Sequence, residues 1–393
     1  MSAPARPSLR ALPLVYPLLL VMVLLFPALD LWEESQARLV RAGALYRPLV
    51  RAGDWWRLLT YGFLHGGLAH IISNGYALHA MGPGLERLYG RARLLCLFLL
   101  AVAAGGVVST LAHRQGVAVG ASAGVFGLLG ANIVLGVRLW PRMTFSGQRS
   151  FVQGTVVVLA LNGGLALVIR NIDHAAHAGG LLCGALLAAP WRLSPEVLDP
   201  VPGPPPPIQA LPGSRLWAVL AGLCLLVALY GALQVVRLQR DPWAFGTRDF
   251  QGAGLRVRAL RCFQQAPAVE VSSAEGAPPV LRLDFPGLTL RILRVRGGSS
   301  QLGERAAAQA LQEVQQAQPA QELQDAVTSR DPAGDGWLRW RGEGSAGQRL
   351  DAYARAAGAD VLQMLVSWDP AQQALAPPAE VWTLVERIER SED

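Results

Sequence analysis

The sequence predicts an all-α polytopic membrane bundle, with a six-helix core and a seventh, C-terminal transmembrane helix, followed by a soluble α+β domain. Three observations predict this fold. The mean hydropathy is +0.30, and only 16% of the 393 residues are charged, against about 25% in soluble domains. Apolar runs recur at about the length that crosses a bilayer. After residue 240 these runs stop, and alternating apolar and polar residues replace them.

Seven apolar runs predict the membrane helices, because a span needs about 20 predominantly apolar residues. The first run is followed by Asp30-Leu31-Trp32 without an evident small-residue cleavage site. We therefore interpret it as a span and not as a secretory signal. The runs are Leu12–Leu29, Leu58–Met81, Leu94–Ala112, Ser122–Val137, Phe151–Ile169, Ala175–Ala189 and Leu216–Leu233.

The composition divides the chain into five segments. Residues 1–10 form a short N-terminal tail, 11–190 the six-span core, 191–214 a Pro-rich linker, 215–236 the seventh transmembrane helix and 241–393 the soluble α+β domain. In this last segment, the alternation predicts strands at Val280–Phe285, Leu288–Val295 and Trp337–Trp340. Helix-favouring residues predict helices at Gly303–Gln318 and Ala379–Arg390. Its role is open between a binding module, a regulator and a second activity; no Cys/His cluster, phosphate loop or triad is visible in it, and we favour binding.

The distribution of charge indicates membrane lipids as partners. The net charge is +11 over residues 1–240 and −4 over residues 241–393. The positive charge lies in short loops between apolar runs, which favours anionic lipid head groups over nucleic acid. All basic residues are Arg, and Ala, Gly and Pro are abundant. We take this as the mark of a GC-rich bacterial genome and expect a multi-pass integral protein of the cytoplasmic (inner) membrane.

The four cysteines predict neither a disulfide framework nor a metal site. Three of them, Cys96, Cys183 and Cys224, lie in apolar runs, and Cys262 is alone in the C-terminal segment. No Cys-x-x-Cys pair occurs, which is the spacing that metal sites and redox motifs commonly use. We therefore expect no metal and no cofactor.

Polar residues within the second run are the first candidates for chemistry, since polar groups at membrane depth are costly and tend to face a cavity or a partner. His70 and Asn74 are four residues apart, so a helix presents them on one face. Two donors placed one turn apart can bind a single oxygen atom. The alternative is a hydrogen bond between helices, which is common for His and Asn in membranes.

A serine and a histidine open the fourth and sixth runs. Ser122 lies between Gly120 and Gly124, and His177 precedes Gly180 and Gly184. Glycines at a spacing of four allow helices to pack closely. If these two helices pack together, Oγ of the serine comes within hydrogen-bond reach of the imidazole, which is how a hydroxyl nucleophile is activated.

Taken together, these motifs resemble the signature of the rhomboid family of intramembrane serine proteases. The resemblance covers roughly residues 10–190. In chain order the matching motifs are Trp56-Arg57, His65-x4-His70-x3-Asn74, Gly120-x-Ser122 and Ala176-His177-x2-Gly180-x3-Gly184.

The resemblance implies a role for each matched residue. Ser122 is the nucleophile and His177 its general base. His70 and Asn74 form the oxyanion hole together with the backbone N–H of the nucleophile. Phe126 supports the catalytic imidazole. Trp56 and Arg57 belong to the first, membrane-embedded loop, where tryptophan and arginine suit the membrane interface.

Ala123 departs from the family pattern, in which glycine usually follows the nucleophile. Its methyl group could crowd a close helix contact or the oxyanion site. We judge it tolerable, because alanine is the smallest increment over glycine.

The function that the resemblance implies is a serine endopeptidase that cleaves the transmembrane segments of other membrane proteins. We expect a Ser–His dyad, because the only nearby carboxylate is Asp173, in the loop before the sixth run. The alternative is a catalytically inactive rhomboid-like protein that binds membrane clients. A transporter also places polar groups in spans, but it does not require the ordered serine and histidine.

Overall fold

The computed structural model describes thirteen stretches of the chain. The chain forms two compact units, residues 1–35 with 39–239 and residues 36–38 with 240–393. The described residues are 12–29, 36–168, 172–191, 214–241, 245–252, 255–265, 280–286, 288–296, 329–330, 338–343, 349–357, 360–368 and 385–390. The predicted N-terminal tail, most of the linker and the helix at 303–318 lie outside them.

The first unit is helical, with one short two-stranded sheet. Strands β1 (Leu45–Tyr46) and β2 (Val117–Ala118) pair antiparallel. The helices are α1 (Val15–Ala28), α2 (Gln36–Arg41), α3 (Arg47–Arg51), α4 (Arg57–Thr60), α5 (Leu68–Tyr89), α6 (Arg91–Ala112), α7 (Ser122–Leu139), α8 (Phe145–Val168), α9 (His174–Ala188) and α10 (Ser214–Arg240).

Each of the seven predicted spans falls on one of these helices. Among the described residues, the stretches 91–112, 122–142 and 215–240 are long and apolar enough to cross a membrane, and α1 and α9 are shorter apolar helices. The predicted start of the second span at Leu58 is wrong, because α5 begins at Leu68. Gly66 and Gly67 precede that helix, and two consecutive glycines, poor helix formers, interrupt the apolar run.

A single glycine connects α5 and α6. Gly90 has φ +82°, a left-handed conformation that a side chain would strain. On one side of this turn, the buried Glu86 accepts a hydrogen bond from the Arg91 guanidinium (2.9 Å) and another from the backbone N–H of Leu14 (2.6 Å). The turn is thereby tied to the start of α1.

The core of the first unit lies where α6, α7 and α9 pack together. Leu97, Phe98 and Val102 of α6 are buried, as are Val125 and Leu128 of α7. By contrast, only 17% of the apolar window of α10 is buried, so most of its side chains face outward. Outward-facing leucine and valine side chains are suited to contact with lipid, because the hydrocarbon tails of lipids are as apolar as they are.

The second unit contains two antiparallel sheets in its described residues. The strands are β3 (Thr247–Gly252), β4 (Leu255–Leu260), β5 (Gln264–Gln265), β6 (Val280–Phe285), β7 (Leu288–Arg296), β8 (Ser329–Arg330), β9 (Leu338–Glu343), β10 (Arg349–Ala357), β11 (Asp360–Trp368) and β12 (Val385–Arg390). One sheet has the order β5-β6-β7-β11-β10-β9-β8 and the other β12-β4-β3. The three predicted strands are present.

The predicted closing helix at Ala379–Arg390 is wrong, because its described part is strand β12. Val385 and Ile388 have the three-residue spacing of a helix face, which explains the error. In the structure an irregularity between Val385 and Arg387 lets these two apolar residues pair with Ala259 and Val257, which are two residues apart. Strand β12 therefore carries one extra residue at this point of the ladder.

Candidate active site

Ser122 is the first residue of α7, so its backbone N–H belongs to the unpaired donors at a helix N-terminus. The chain reaches it through β2 and Gly120. Gly120 has φ +124°, and its N–H donates to the carbonyl oxygen of Tyr61 (3.0 Å). A left-handed residue at this point turns the chain sharply into the helix.

His177 lies in the first turn of α9, across from Ser122. Its Nε2 is 2.8 Å from Oγ of Ser122, so the hydroxyl donates to the ring in the tautomer that carries its proton on Nδ1. Asp173 caps the helix, because its Oδ1 accepts the N–H of Ala176 (3.0 Å). The structure thus brings together the serine and the histidine that the sequence singled out.

Glycines allow α7 and α9 to approach at backbone distance. A Cβ atom added to Gly180 would lie 2.1 Å from the carbonyl oxygen of Ala123, and one added to Gly184 would lie 1.9 Å from that of Gly127. The expectation for Gly120 and Gly124 is corrected. Gly124 packs on Phe98 of α6, and Gly120 lies before the helix.

Ala123, the departure from the family pattern, fits because α6 has a glycine opposite it. A Cβ atom at Gly105 would lie 2.6 Å from Cβ of Ala123. The extra methyl group on α7 is therefore accommodated by the missing one on α6. Ala123 is fully buried, so its methyl group lies in the helix contact and not in solvent.

Phe126 packs on the imidazole. Its ring is parallel to that of His177, with the centroids 4.2 Å apart and 11° between the planes. Phe126 lies one turn beyond Ser122 on α7, so one helix supplies both the hydroxyl and the surface that orients the histidine. Offset stacking of this kind contributes about 0.5–1.5 kcal/mol.

His70 and Asn74 lie on the face of α5 that meets the approach to Ser122. A Cβ atom at Gly120 would be 2.5 Å from Nε2 of His70 and 3.6 Å from Nδ2 of Asn74. Nδ2 of Asn74 also lies 3.1 Å from Nε2 of His65. An amide nitrogen only donates, so His65 accepts this bond and thereby orients Asn74. The sequence motif contained His65, but only the structure indicates what it does.

Trp56 and Arg57 do not reach the serine or the histidine; they hold the segment before α4 together. Arg57 is fully buried, and its guanidinium donates to the carbonyl oxygens of Val40 (2.6 Å) and Ala44 (3.0 Å). It also lies 4.4 Å from the Trp56 ring centroid. The expectation that Trp56 lies at the membrane interface is corrected: Trp56 is 5% exposed, whereas its neighbour Trp55 is 72% exposed.

Sequence reasoning missed a polar group beside the helix cap. Arg47 contacts both Asp173 (2.5 Å) and Ser109 (2.8 Å). The position of Asp173 just before an apolar helix is a capping signal, but nothing in the sequence links it to Arg47. Within the described ranges, no cluster of three or more His, Cys, Asp or Glu residues could hold a metal ion.

Several known proteins are similar to part of this chain. A family model described as "Rhomboid domain" matches residues 52–193. The chain is 36% identical over 176 residues to "Rhomboid protease GluP" from Bacillus subtilis (strain 168), covering 44% of this chain and 34% of that protein. It is 37% identical over 153 residues to "Rhomboid-like protease 1" from Toxoplasma gondii, covering 37% and 50%.

A plant relative gives a similar match. "RHOMBOID-like protein 5" from Arabidopsis thaliana is 34% identical over 158 residues, covering 40% of this chain and 50% of that protein. The chain thus spans between a third and a half of the length of these curated relatives. In each case the match covers less than half of this chain.

Proposed function

Since this chain belongs to the rhomboid family through its domain at residues 52–193, we propose that it is an intramembrane serine endopeptidase. Rhomboid proteins are integral membrane proteins, and the apolar helices fit a multi-pass arrangement. Ser122 acts as the nucleophile and His177 as the general base. The observation that carries the proposal is the 2.8 Å contact between Oγ and Nε2, which joins two helices far apart in sequence.

The dyad provides the proton transfers that peptide hydrolysis requires. His177 takes the proton of Ser122 as the oxygen attacks the carbonyl carbon, and it returns that proton to the leaving amine. Water then attacks the acyl-enzyme, again with the histidine as base. Phe126 keeps the imidazole plane in place through both steps, because a stacked ring resists tilting.

The oxyanion that forms during attack is stabilised by three donors. The backbone N–H of Ser122 is directed by the helix N-terminus, which favours negative charge. Asn74 uses one N–H on His65 and has a second for the oxyanion, and His70 lies beside Gly120. Donors held in advance at the site of developing charge are among the largest contributions to catalysis.

The substrate class is the transmembrane segment of another membrane protein. A regular helix hides its peptide bonds, so a cleavable segment must contain residues that unwind easily, such as glycine or helix breakers. Membrane lipids are the other partners, and the cytoplasmic membrane of a bacterium is the proposed location. The unit from residue 240 onward serves substrate binding; its deletion leaves intrinsic hydrolysis intact and alters substrate choice.

The proposal is tested by labelling the full-length chain in proteoliposomes with a fluorophosphonate. Oγ of Ser122 attacks the phosphorus atom and fluoride leaves, with His177 taking the proton. We expect labelling of the wild type and of Ser73→Ala, a control that removes a different hydroxyl from a membrane helix. Ser122→Ala and His177→Ala are expected to lose both labelling and cleavage of a single-span substrate. Cleavage is measured by mass spectrometry of the peptide products.

An inactive client-binding protein predicts the opposite outcome. In that case the wild type binds single-span proteins, shows no labelling and yields no peptides. Retained cleavage in Ser122→Ala would instead remove the serine from the mechanism. The intact pair of Ser122 and His177 favours the protease, because loss of one of them is the expected mark of an inactive relative.

A further inference from the structure

Residues 45–47 connect the two halves of the proposed dyad. On one side, β1 fixes the chain that leads to the nucleophile. Leu45 pairs with Ala118 and Tyr46 with Val117, and β2 ends four residues before Ser122. The approach to the nucleophile is therefore held by a backbone ladder, close to the sharp turn at residue 120.

On the other side, the Arg47 side chain reaches the helix that carries the base. Its Nη2 lies 2.5 Å from Oδ2 of Asp173. Nε and Nη2 both donate to Oγ of Ser109 (3.1 and 2.8 Å), and Nη1 donates to the carbonyl oxygen of Gln115 (2.9 Å). The side chains of Arg47 and Asp173 are only 7% and 12% exposed.

Asp173 transmits this contact to the histidine. Oδ1 accepts the N–H of Ala176, and the backbone oxygen accepts the N–H of His177 (3.2 Å). Oδ2 of the carboxylate thus accepts from Arg47 and from the Ser109 hydroxyl, and Oδ1 binds the first turn of α9. Any movement of Arg47 relative to α9 changes the placement of the imidazole.

We infer that Arg47 and Asp173 form a positioning pair, which sets the separation of His177 from Ser122; this inference rests on the proposed function. The glycine contacts fix how closely α7 and α9 pack, but two packed helices can still slide along each other. The pair prevents sliding at the ends that bear the reacting groups. A buried ion pair contributes little net stability compared with apolar packing, so a geometric role accounts for its place here.

The first test is Asp173→Asn in the full-length chain in proteoliposomes. Asparagine keeps the shape and caps a helix about as well as aspartate, but it removes the charge that holds Arg47. We expect kcat for a single-span substrate to fall roughly 10- to 100-fold, the scale of a displacement of about 1 Å, with KM within about twofold. Labelling of Ser122 by the fluorophosphonate slows by a similar factor.

Arg47→Lys is the second variant. Lysine keeps the positive charge but cannot bind Asp173, Ser109 and Gln115 together, because it lacks the guanidinium fork. We expect a kcat between those of the wild type and Arg47→Met. If Arg47→Lys retains more kcat than Arg47→Met, the positive charge opposite Asp173 matters. If both variants lose kcat equally, the guanidinium fork matters. If lysine and methionine both keep the wild-type kcat, the inference is wrong.

Glu86→Gln is the matched control for stability. Glu86 is also buried, also pairs with an arginine (Arg91, 2.9 Å) and also accepts a backbone N–H near a helix start. It lies twelve residues beyond Asn74 on α5, about 18 Å along the helix. We expect Glu86→Gln to lower the thermal midpoint as much as Asp173→Asn does, with kcat unchanged.

The outcomes separate the two proposals. If the wild type labels and cleaves but Asp173→Asn keeps its kcat, or loses no more than Glu86→Gln does, the positioning role is refuted and the protease remains. If the wild type neither labels nor cleaves, both proposals fall. If Asp173→Asn does not fold, the Arg47 variants decide, since their side chain caps no helix.

Discussion

Gly180→Ala tests whether the glycine contact between α7 and α9 determines the distance between the proposed nucleophile and base. The added Cβ would lie 2.1 Å from the carbonyl oxygen of Ala123, whereas such contacts rarely fall below about 3.3 Å. Because that oxygen belongs to a helix backbone, the two helices must separate locally by about 1 Å. Gly180 is one turn from His177, and Ala123 is next to Ser122, so the separation falls at the site itself.

The expected loss follows from the hydrogen bond. An added 1 Å lengthens the 2.8 Å contact to about 3.8 Å, beyond the range of a hydrogen bond. Misplacement on this scale costs about 100-fold in rate, and overpacking costs about 1–3 kcal/mol of stability. We expect kcat for a single-span substrate to fall by about two orders of magnitude in proteoliposomes, with the protein still folded.

Gly222→Ala is the matched control, because a Cβ atom at this position on α10 meets nothing within 4 Å. The same substitution should leave kcat unchanged there. The reasoning is refuted if Gly180→Ala keeps the wild-type kcat, since the two helices would then be free to separate without consequence. It is also refuted if both variants lose activity equally.

Three further predictions concern single side chains. Phe126→Ala removes the stacking on His177, so kcat should fall up to about 10-fold, the rate equivalent of about 1.4 kcal/mol. The rate of fluorophosphonate labelling should fall by a similar factor, and a labelling rate equal to that of the wild type would contradict the prediction. Asn74→Ala removes an oxyanion donor and should lower kcat by about 10²–10³ with little change in KM; a change in KM alone would indicate substrate binding instead. Arg57→Ala removes the cation that pairs with the buried Asp54 (3.1 Å) and should destabilise the fold by about 3–5 kcal/mol, measured as a lower thermal midpoint in detergent; a stable variant with reduced kcat would place Arg57 in catalysis.

The sequence predicted the seven apolar helices of the first unit because each corresponds to a long apolar run. The short helices α2, α3 and α4 were not among the predicted spans. The sequence also predicted the meeting of Ser122 and His177, since Gly180 and Gly184, beyond His177, indicate a close helix contact; the glycines beside Ser122 serve other contacts. The start of α5 was placed too early, because hydropathy counts apolar residues and does not register that Gly66-Gly67 breaks the helix.

Other contacts between segments distant in sequence could not be predicted. The pairing of Arg47 with Asp173 joins residues 126 positions apart, and no periodicity relates them. Trp56 is buried where an interfacial position was expected, because its neighbours Gly43 and Gly231 leave room for the ring. Strand β12 was predicted as a helix, because Val385 and Ile388 are three residues apart in the sequence. The register irregularity between Val385 and Arg387 allows this spacing in a strand.

The one-residue connection at Gly90 has a consequence for how the protein is made. A return this short brings the end of α5 and the start of α6 together at almost no cost in chain entropy. We expect the two helices to enter the bilayer as a preformed hairpin, in which Glu86 and Arg91 neutralise each other near the bend. The helices synthesised later, which bring the serine and the histidine, then assemble against a partner already in place.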